Sequence, residues 1–287
     1  MSATVKSLRQ KGIEILTKTE YNNPSLEVEL IICYLLDVDR VYVYTHPNRK
    51  VDDQIVDKFD KLIGKRKDGY PLQYILGHQE FMGLDFKISE GVLVPRPDTE
   101  ILIEKIIKSY DHIDKETINI MDIGTGSGAI TLSLAYYIKN SYVYSIDISE
   151  QAIKVAKKNC DVLNLQDKVE FIHKDILEGF PKIDKKLDVI VSNPPYIPSG
   201  DIEGLQVEVA KYEPRLALDG GEDGLIFYKY ITTHAHELLA VNGLLAYEIG
   251  HNQGEEVKEL MEMNGFKDIE VIKDLSNNNR VVIGRRR

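Results

Sequence analysis

Four consecutive residues, Asn193-Pro194-Pro195-Tyr196, carry the most specific chemistry in the sequence. Two prolines in a row hold the backbone extended, and Pro195 has no N–H to donate. The Asn193 side-chain oxygen and the Pro194 carbonyl are then adjacent acceptors, with the flat ring of Tyr196 beside them. Such a pair suits a planar NH2 group, whose two hydrogens it can hold. A nitrogen of that kind is a poor nucleophile, because its lone pair is delocalised. Orienting it and raising its electron density would prepare it for methylation, with much of the rate coming from positioning and pre-set dipoles. No strong base is needed first, since the nitrogen becomes acidic only as it is alkylated. A rigid turn alone would require neither Asn193 nor Tyr196. Asn193, Pro194 and Tyr196 are therefore the catalytic candidates, and Asn193, Pro194, Pro195 and Tyr196 the substrate-binding ones.

A second constellation is the run Gly124-Thr125-Gly126-Ser127-Gly128, preceded by Asp122 and an apolar stretch. Glycines between a strand and a helix allow a tight turn and close approach of backbone to a ligand, at a helix N-terminus whose N–H groups are unpaired. Asp147 ends the next apolar run, at the distance from Gly124 usual for a carboxylate that accepts hydrogen bonds from ribose hydroxyls. The spacing fits two cofactor classes. Gly124, Gly126 and Ala129 satisfy the dinucleotide pattern G-x-G-x-x-G/A, whereas Gly124, Gly126 and Gly128 satisfy the G-x-G-x-G of S-adenosylmethionine (AdoMet) enzymes. No G-x-x-x-x-G-K-[ST] occurs, which disfavours a Walker-type nucleotide site.

These residues need elements to position them. Apolar runs at 118–124, 141–147, 168–175 and 187–193 read as strands, with helical patterns at 129–138 and 150–163. Further on come a helix near 224–240, a strand near 243–249, a helix near 252–264 and strands near 267–272 and 280–284. This alternation predicts an α/β fold with a mainly parallel sheet covered on both faces. Ligands of such sheets bind beyond the carboxyl ends of the strands, so the tetrapeptide should face the glycine loop. The segment 1–77 differs: it reads as helices, one starting at Asn23-Pro24 and one spanning 51–67 with Ile55, Phe59, Leu62 and Ile63 on a single face. Lys58, Lys61, Lys65, Arg66 and Lys67 would form its solvated face, or else a partner-binding surface. Phe81, Leu84, Phe86 and Ile88 around Gly83 suggest a hairpin, read as a linker over 78–95, and residues 96–287 form the second domain.

The net charge of −10 lies wholly outside the segment 1–80, where basic and acidic side chains balance. Stable nucleic-acid binding is not expected of such a chain, since binders of phosphate backbones carry a basic footprint. The terminal Arg285, Arg286 and Arg287 read as solvated. No apolar run approaches the roughly 18 residues of a membrane span, and the opening MSATVKSLRQKG lacks the apolar core of a secretory signal, so a cytoplasmic protein without membrane attachment is expected. Cys33 and Cys160 are not spaced for metal or redox chemistry and read as small buried hydrophobes. His234 and His236 do not complete an H-E-x-x-H motif and read as exposed helix-face residues. Asp219 to Gly224, DGGEDG, lacks EF-hand spacing and reads as a turn before a helix. No metal site is expected.

The glycine loop, Asp147 and N-P-P-Y together resemble class I AdoMet-dependent methyltransferases of planar nitrogens. The sequence is similar above all to the protein-(glutamine-N5) methyltransferases of the HemK/PrmC type. Three further segments carry that likeness: Phe81-Met82-Gly83-Leu84-Asp85-Phe86, the run from Val92 to Glu100 (VLVPRPDTE), and the run from Tyr212 to Leu225 (YEPRLALDGGEDGL). The N-terminal helical segment agrees in size and position. The resemblance implies a Rossmann-like, mainly parallel seven-stranded sheet with a small N-terminal helical domain that recognises substrate. It implies AdoMet as methyl donor, S-adenosyl-L-homocysteine as product, and the glutamine of the Gly-Gly-Gln motif of class 1 peptide chain release factors as acceptor. On this likeness Gly124, Thr125, Gly126, Ser127 and Gly128 wrap the methionine part of the cofactor and Asp147 holds its ribose. Asp175 and Ile176 flank its adenine, and Asn193 touches both cofactor and substrate. Phe81 and Arg96 would help to close the pocket.

Other functions fit part of the pattern. A DNA adenine-N6 methyltransferase would use N-P-P-Y equally well but should show a basic target-recognition region. A glutamine methyltransferase of a ribosomal protein would share every motif. A nicotinamide-dependent oxidoreductase fits the glycine loop and leaves N-P-P-Y without a purpose. An inactive AdoMet-binding regulator has no need of an intact tetrapeptide.

Overall fold

The computed structural model describes residues 3–19, 23–111 and 113–287. Helices α1 (Val5–Leu16), α2 (Pro24–Leu36), α3 (Arg40–Thr45), α4 (Asp53–Lys67) and α5 (Leu72–Leu76) come first, followed by strands β1 (His78–Phe81) and β2 (Leu84–Lys87) and helix α6 (Thr99–Tyr110). Strands and helices then alternate: β3 (Ile118–Ile123), α7 (Ala129–Tyr137), β4 (Ser141–Asp147), α8 (Glu150–Leu163), β5 (Val169–His173) and β6 (Leu187–Ser192). Helices α9 (Val207–Tyr212) and α10 (Ile226–Leu238), strand β7 (Leu239–Glu248), helix α11 (Gly254–Met263) and strands β8 (Phe266–Lys273) and β9 (Asn279–Arg286) complete the chain. The packing forms two units, one of residues up to His78 together with 206–212, the other of 79–205 and 213–287.

In the helical unit, Asn23 caps α2 by accepting the Leu26 N–H at 3.1 Å, and Pro24 takes the first helical position, where its missing N–H costs nothing. Val5, Leu8 and Leu16 of α1, Val28, Ile31 and Ile32 of α2 and Phe59 and Ile63 of α4 form one buried core. Gly12 lets these helices meet: a Cβ there would lie 2.8 Å from a Val28 methyl and 2.9 Å from the Phe59 ring. Arg66 departs from the expected solvated face, being only 3% exposed. Its spacing of seven from Phe59 places it on the buried stripe of α4. There its guanidinium binds Glu27 at 2.6 Å, Glu208 at 2.8 Å and the Tyr70 carbonyl at 3.1 Å. Glu208 explains why residues 206–212 pack with the helical unit, although their place in the sequence assigns them to the second domain.

The second unit is built on a seven-stranded sheet of order β5-β4-β3-β6-β7-β9-β8. Strands β5, β4, β3, β6 and β7 run parallel, and β9 and β8 pair antiparallel. Every residue of β3 and β6 is buried, as expected of central strands covered on both faces. The chain winds outward from β3 to β5, then crosses to β6 on the other side of β3. That reversal opens a crevice at the carboxyl ends of β3, β4 and β6.

The hairpin β1–β2 is no linker. Phe81 and Phe86 are 1% and 0% exposed and meet edge to face at 6.0 Å. Asn159 of α8 accepts the Lys87 N–H at 2.7 Å and donates to the Lys87 and Ser127 carbonyls, so the hairpin is pinned to the sheet unit. Burial of two phenylalanines decides the matter, since an inter-domain linker would leave them in water. Arg285 and Arg286 belong to β9 and bind the main-chain carbonyls of Asn242 and Leu239, so the end of the chain is not a free basic tail. His234 stacks on Tyr230 at 4.4 Å, and His236 lies 5.4 Å from the Phe266 ring, so both are half-buried rather than exposed. Cys160 is buried and Cys33 half-buried. Among the described residues no helix is long and apolar enough to cross a membrane.

The tight approach at Gly12 yields a prediction. Gly12→Ala should destabilise the helical unit by about 1–3 kcal/mol, the cost of overpacking a close-packed core, although alanine is the better helix former. Urea unfolding followed by a probe in that unit should show an earlier midpoint at unchanged slope.

Candidate active site

The loop between β3 and α7 has three glycines with left-handed backbone, Gly124 at φ 92°, Gly126 at φ 55° and Gly128 at φ 86°. At Gly126 a Cβ would project into open space, leaving the peptide faces bare toward the crevice. At Gly128 a Cβ would meet Leu132 at 3.0 Å and Ala156 at 3.2 Å, so glycine there allows close helix packing. The Thr125 hydroxyl turns inward to Ser145 at 2.7 Å, and Ser145 continues to Thr131 at 2.6 Å. Thr125 and Ser127 are each 3% exposed. These two side chains and Gly128 shape the loop from within, whereas Gly124 and Gly126 line a cavity of about 220 Å³.

Asp147 ends β4 on the same cavity. Its carboxylate accepts the Gly126 N–H at 2.9 Å and the Ser149 N–H at 2.8 Å, which fixes it against the loop and leaves lone pairs for a ligand. Burial pushes its pKa up, and those N–H groups oppose the shift. Asp175 and Ile176 also line the cavity, with Leu177 beside them. Asp175 accepts the Leu177 N–H at 2.8 Å and so caps the single turn Ile176–Glu178.

Asn193, Pro194 and Pro195 close the opposite wall. The Ser192 hydroxyl donates to the Ile123 carbonyl at 2.6 Å and ties the end of β6 to the end of β3. The Asn193 carbonyl then lies close to Gly124, 3.6 Å from where a Cβ would stand. From behind, residues 219–224 brace the tetrapeptide. A Cβ on Gly220 would lie 2.8 Å from the Pro195 carbonyl oxygen, and one on Gly224 would lie 2.5 Å from that of Tyr196, so both positions require glycine. Asp219 accepts the Ser199 hydroxyl and the Gly221 N–H, and Asp223 accepts the Leu225 N–H. These acids hold turns; among the described residues no cluster of His, Cys, Asp and Glu is arranged to hold a metal ion.

Tyr196 is half-buried against the core cluster and does not line the cavity. Burial drives its phenol up to about 12, helped by the charge of Glu248. Gln253 holds the Tyr196 carbonyl at 2.9 Å. Two residues expected to close the pocket do not line it: Phe81 fills the hairpin core, and Arg96 binds Glu213 at 2.7 Å. Two further residues stand behind Asn193: Thr99, from the run Val92 to Glu100, and Glu248, which no motif singled out. The Thr99 hydroxyl donates to Glu248 Oε2 at 2.5 Å, and the Asn193 side-chain amide donates to Thr99 Oγ1 at 3.4 Å; burial pushes the Glu248 carboxyl up, and the nearby Asn193 amide opposes the shift. A lone acid in the otherwise apolar end of β7 is the sequence signal for Glu248.

Residues 7–77 match a family described as PrmC N-terminal domain, and residues 114–272 match one described as Methyltransferase domain. A release factor glutamine methyltransferase of Fusobacterium nucleatum subsp. nucleatum is 43% identical over 96% of this chain and 77% of its own length. One of Clostridium acetobutylicum is 40% identical over 98% of each chain. The crystal structure of a methyltransferase from Pyrococcus furiosus is 20% identical and aligns with a TM-score of 0.51 over 81% of this chain and 96% of that one, a likeness of fold.

Beneath the glycine loop, the Asp122 carboxyl is wholly buried. It accepts the Thr131 hydroxyl at 2.5 Å through Oδ2, while Oδ1 has no hydrogen-bond partner among the described residues. Burial pushes its pKa from 3.8 up to about 7, the Thr131 hydroxyl opposes the rise and the charge of Asp147 adds to it. Below about pH 4 the folded and unfolded chains both hold this proton. Between about pH 4 and about pH 7 only the folded chain holds it, so its contribution to stability falls as pH rises, by on the order of 1 kcal/mol per pH unit. Above about pH 7 the penalty is constant. Asp122→Asn should therefore gain stability relative to the parent chain from pH 5 to pH 7 and then level off; parallel melting curves across that range would refute the assignment.

Proposed function

The chain belongs to the release factor glutamine methyltransferases, and from that membership and the site we infer that it methylates the side-chain amide N5 of the glutamine in the Gly-Gly-Gln motif of class 1 peptide chain release factors. The observation that carries this reading is the placement of Asn193 and Pro194 on the wall of the glycine-loop cavity, braced from both sides. AdoMet, when bound, supplies an electrophilic methyl group on a sulfonium and leaves as S-adenosyl-L-homocysteine.

The residues present fit that cofactor. Gly126 leaves the loop backbone bare toward the cavity, with the N–H-rich start of α7 behind it. Asp147, Asp175 and Ile176 all line the cavity, which supports Asp147 as the acceptor for ribose hydroxyls and the other two as the flank of the adenine. Thr125, Ser127 and Gly128 contribute through the shape of the loop. For the substrate, Asn193 Oδ1 and the Pro194 carbonyl accept the two amide hydrogens, which fixes the nitrogen and raises its electron density. Pro195 presents no competing N–H. Tyr196 continues the tetrapeptide behind the cavity wall, and burial pushes its phenol further from ionisation. The proton leaves the nitrogen after alkylation, so none of these residues must act as a strong base.

The helical unit is the proposed recognition element for the protein substrate, and the cytoplasm the proposed place of action, where release factors work. The same acceptor pair would serve the amino group of adenine. The net charge of −10 speaks against a phosphate backbone as partner.

A transfer assay tests the reading. The protein with methyl-labelled AdoMet should label a purified release factor, but neither the same factor with the Gly-Gly-Gln glutamine replaced nor adenine-containing DNA. Label in the DNA alone would move the activity to adenine. Asn193→Ala should lower turnover on the factor by about 10²–10³, the usual cost of losing one transition-state hydrogen bond, with AdoMet affinity changed far less. Near-normal turnover in that variant would refute the role given to the tetrapeptide.

A further inference from the structure

An asparagine amide has two unlike ends of nearly equal size. Its oxygen accepts and its nitrogen donates, and a half-turn about the last torsion exchanges them at little steric cost. The function proposed above needs the oxygen toward the substrate. With the nitrogen turned outward, a donor would meet the N–H groups of the glutamine amide, and the site would repel what it must orient.

The groups behind Asn193 decide between the two orientations. A hydroxyl has one hydrogen, and with Glu248 ionised that of Thr99 is committed to Glu248 Oε2 at 2.5 Å. Toward Asn193 it therefore presents lone pairs only. The Glu248 carboxyl is the second group; it presents acceptor oxygens, and the nearby Asn193 amide lowers its pKa. Two acceptors on one side require the Asn193 nitrogen to face them, which leaves Oδ1 for the cavity that Asn193 lines. Water does not compete, because Thr99 is 5% exposed and Glu248 2%. The backing is itself anchored: the Tyr228 hydroxyl donates to the Glu248 carbonyl at 2.9 Å, and Thr99 opens the first turn of α6. A buried carboxyl is a costly way to fill the end of a strand that an apolar residue would fill more stably. Its placement behind the one side chain whose orientation matters gives that cost a purpose.

We propose that Glu248, together with Thr99, is a positioning residue that holds the Asn193 amide with its oxygen toward the substrate amide. The proposal rests on the glutamine-methyltransferase reading for its consequence in turnover, but the orientation of Asn193 is a property of the protein alone. Glu248→Gln keeps the shape and supplies an NH2 group that can bond the Asn193 oxygen and so admit the reversed amide.

The full chain is assayed with AdoMet and release factor as the parent, Glu248→Gln, Asn193→Ala and the double variant. Glu248→Gln should lower kcat by about 10–100-fold, the range seen when an outer partner of a site ligand is removed. AdoMet affinity, read by calorimetry, should stay within about twofold. In the Asn193→Ala background the same change should have almost no further effect, because the side chain through which it acts is gone. An equal loss in both backgrounds, or undiminished kcat in the single variant, overturns the proposal. Thr99→Val, which preserves volume, provides a second variant should Glu248→Gln fail to fold, with the same dependence on Asn193. Independently of catalysis, the Asn193 side-chain NH2 protons, followed by NMR in the free protein, should exchange slowly with solvent and become fast in Glu248→Gln. Fast exchange in the parent chain sinks the inference even if turnover is normal. Absent turnover in the parent with slow exchange sinks the functional reading instead.

Discussion

The bond from the Ser192 hydroxyl to the Ile123 carbonyl sets the scale of the site. It locks the last residue of β6 to the last residue of β3, where the two strands are already in register. The glycine loop leaves the sheet from one of those ends and the tetrapeptide from the other. Because both strands are buried along their whole length, neither end can shift without disturbing the core. Gly220 and Gly224 then bring a second layer of backbone within contact of the tetrapeptide. The tetrapeptide backbone is thus held by main chain and sheet, an arrangement that suits the orientation of a weak nucleophile by the proposed acceptor pair.

Charge is distributed to the same end. Asp122, Asp147 and Glu248 sit at the carboxyl ends of β3, β4 and β7, and burial raises the pKa of all three. Carboxyls in such positions lower stability unless something compensates. Thr131, the Gly126 and Ser149 N–H groups and the Thr99 hydroxyl provide part of that compensation. Glu29 in the helical unit shows the opposite balance. Burial works against its ionisation, but donors from Tyr44, Arg40, Arg9 and Ser25 outweigh it and bring the pKa down to about 2. Glu29 is there for structure and is satisfied; of the others, Asp147 lines the cavity with both oxygens bonded to N–H groups, and Asp122 keeps one oxygen without a partner among the described residues.

What the sequence reveals follows the physics of each feature. The sheet strands and the glycine loop are legible because their signals are local: apolar runs, and left-handed turns that demand glycine. Helix α4 is legible for the same reason, yet Arg66 is not, because its residue type outweighs its position in the pattern; position is what buries it between Glu27 and Glu208. The docking of 206–212 with the helical unit depends on a partner 142 residues away from Arg66, and no window of sequence contains that pairing. Phe81 is legible as apolar but not as hairpin core rather than pocket wall. Glu248 is hidden differently: an acid at a strand end resembles any exposed acid until the opposing side chain, Asn193, is brought to it by the fold.

The tetrapeptide cannot by itself choose among conjugated NH2 groups, since two acceptors and a flat ring suit an amide and an aromatic amine alike. Selection must come from what carries the nitrogen into the site. A duplex base brings phosphates with it, and a net charge of −10 repels them over distances longer than any contact. A glutamine on a protein loop brings a backbone and whatever charge surrounds it. The excess of acidic residues, confined to the part of the chain that holds the cavity, would attract a basic protein surface and slow the approach of a nucleic acid. On this view the acceptor wall determines which kind of nitrogen reacts, and the field around it determines which macromolecule delivers that nitrogen.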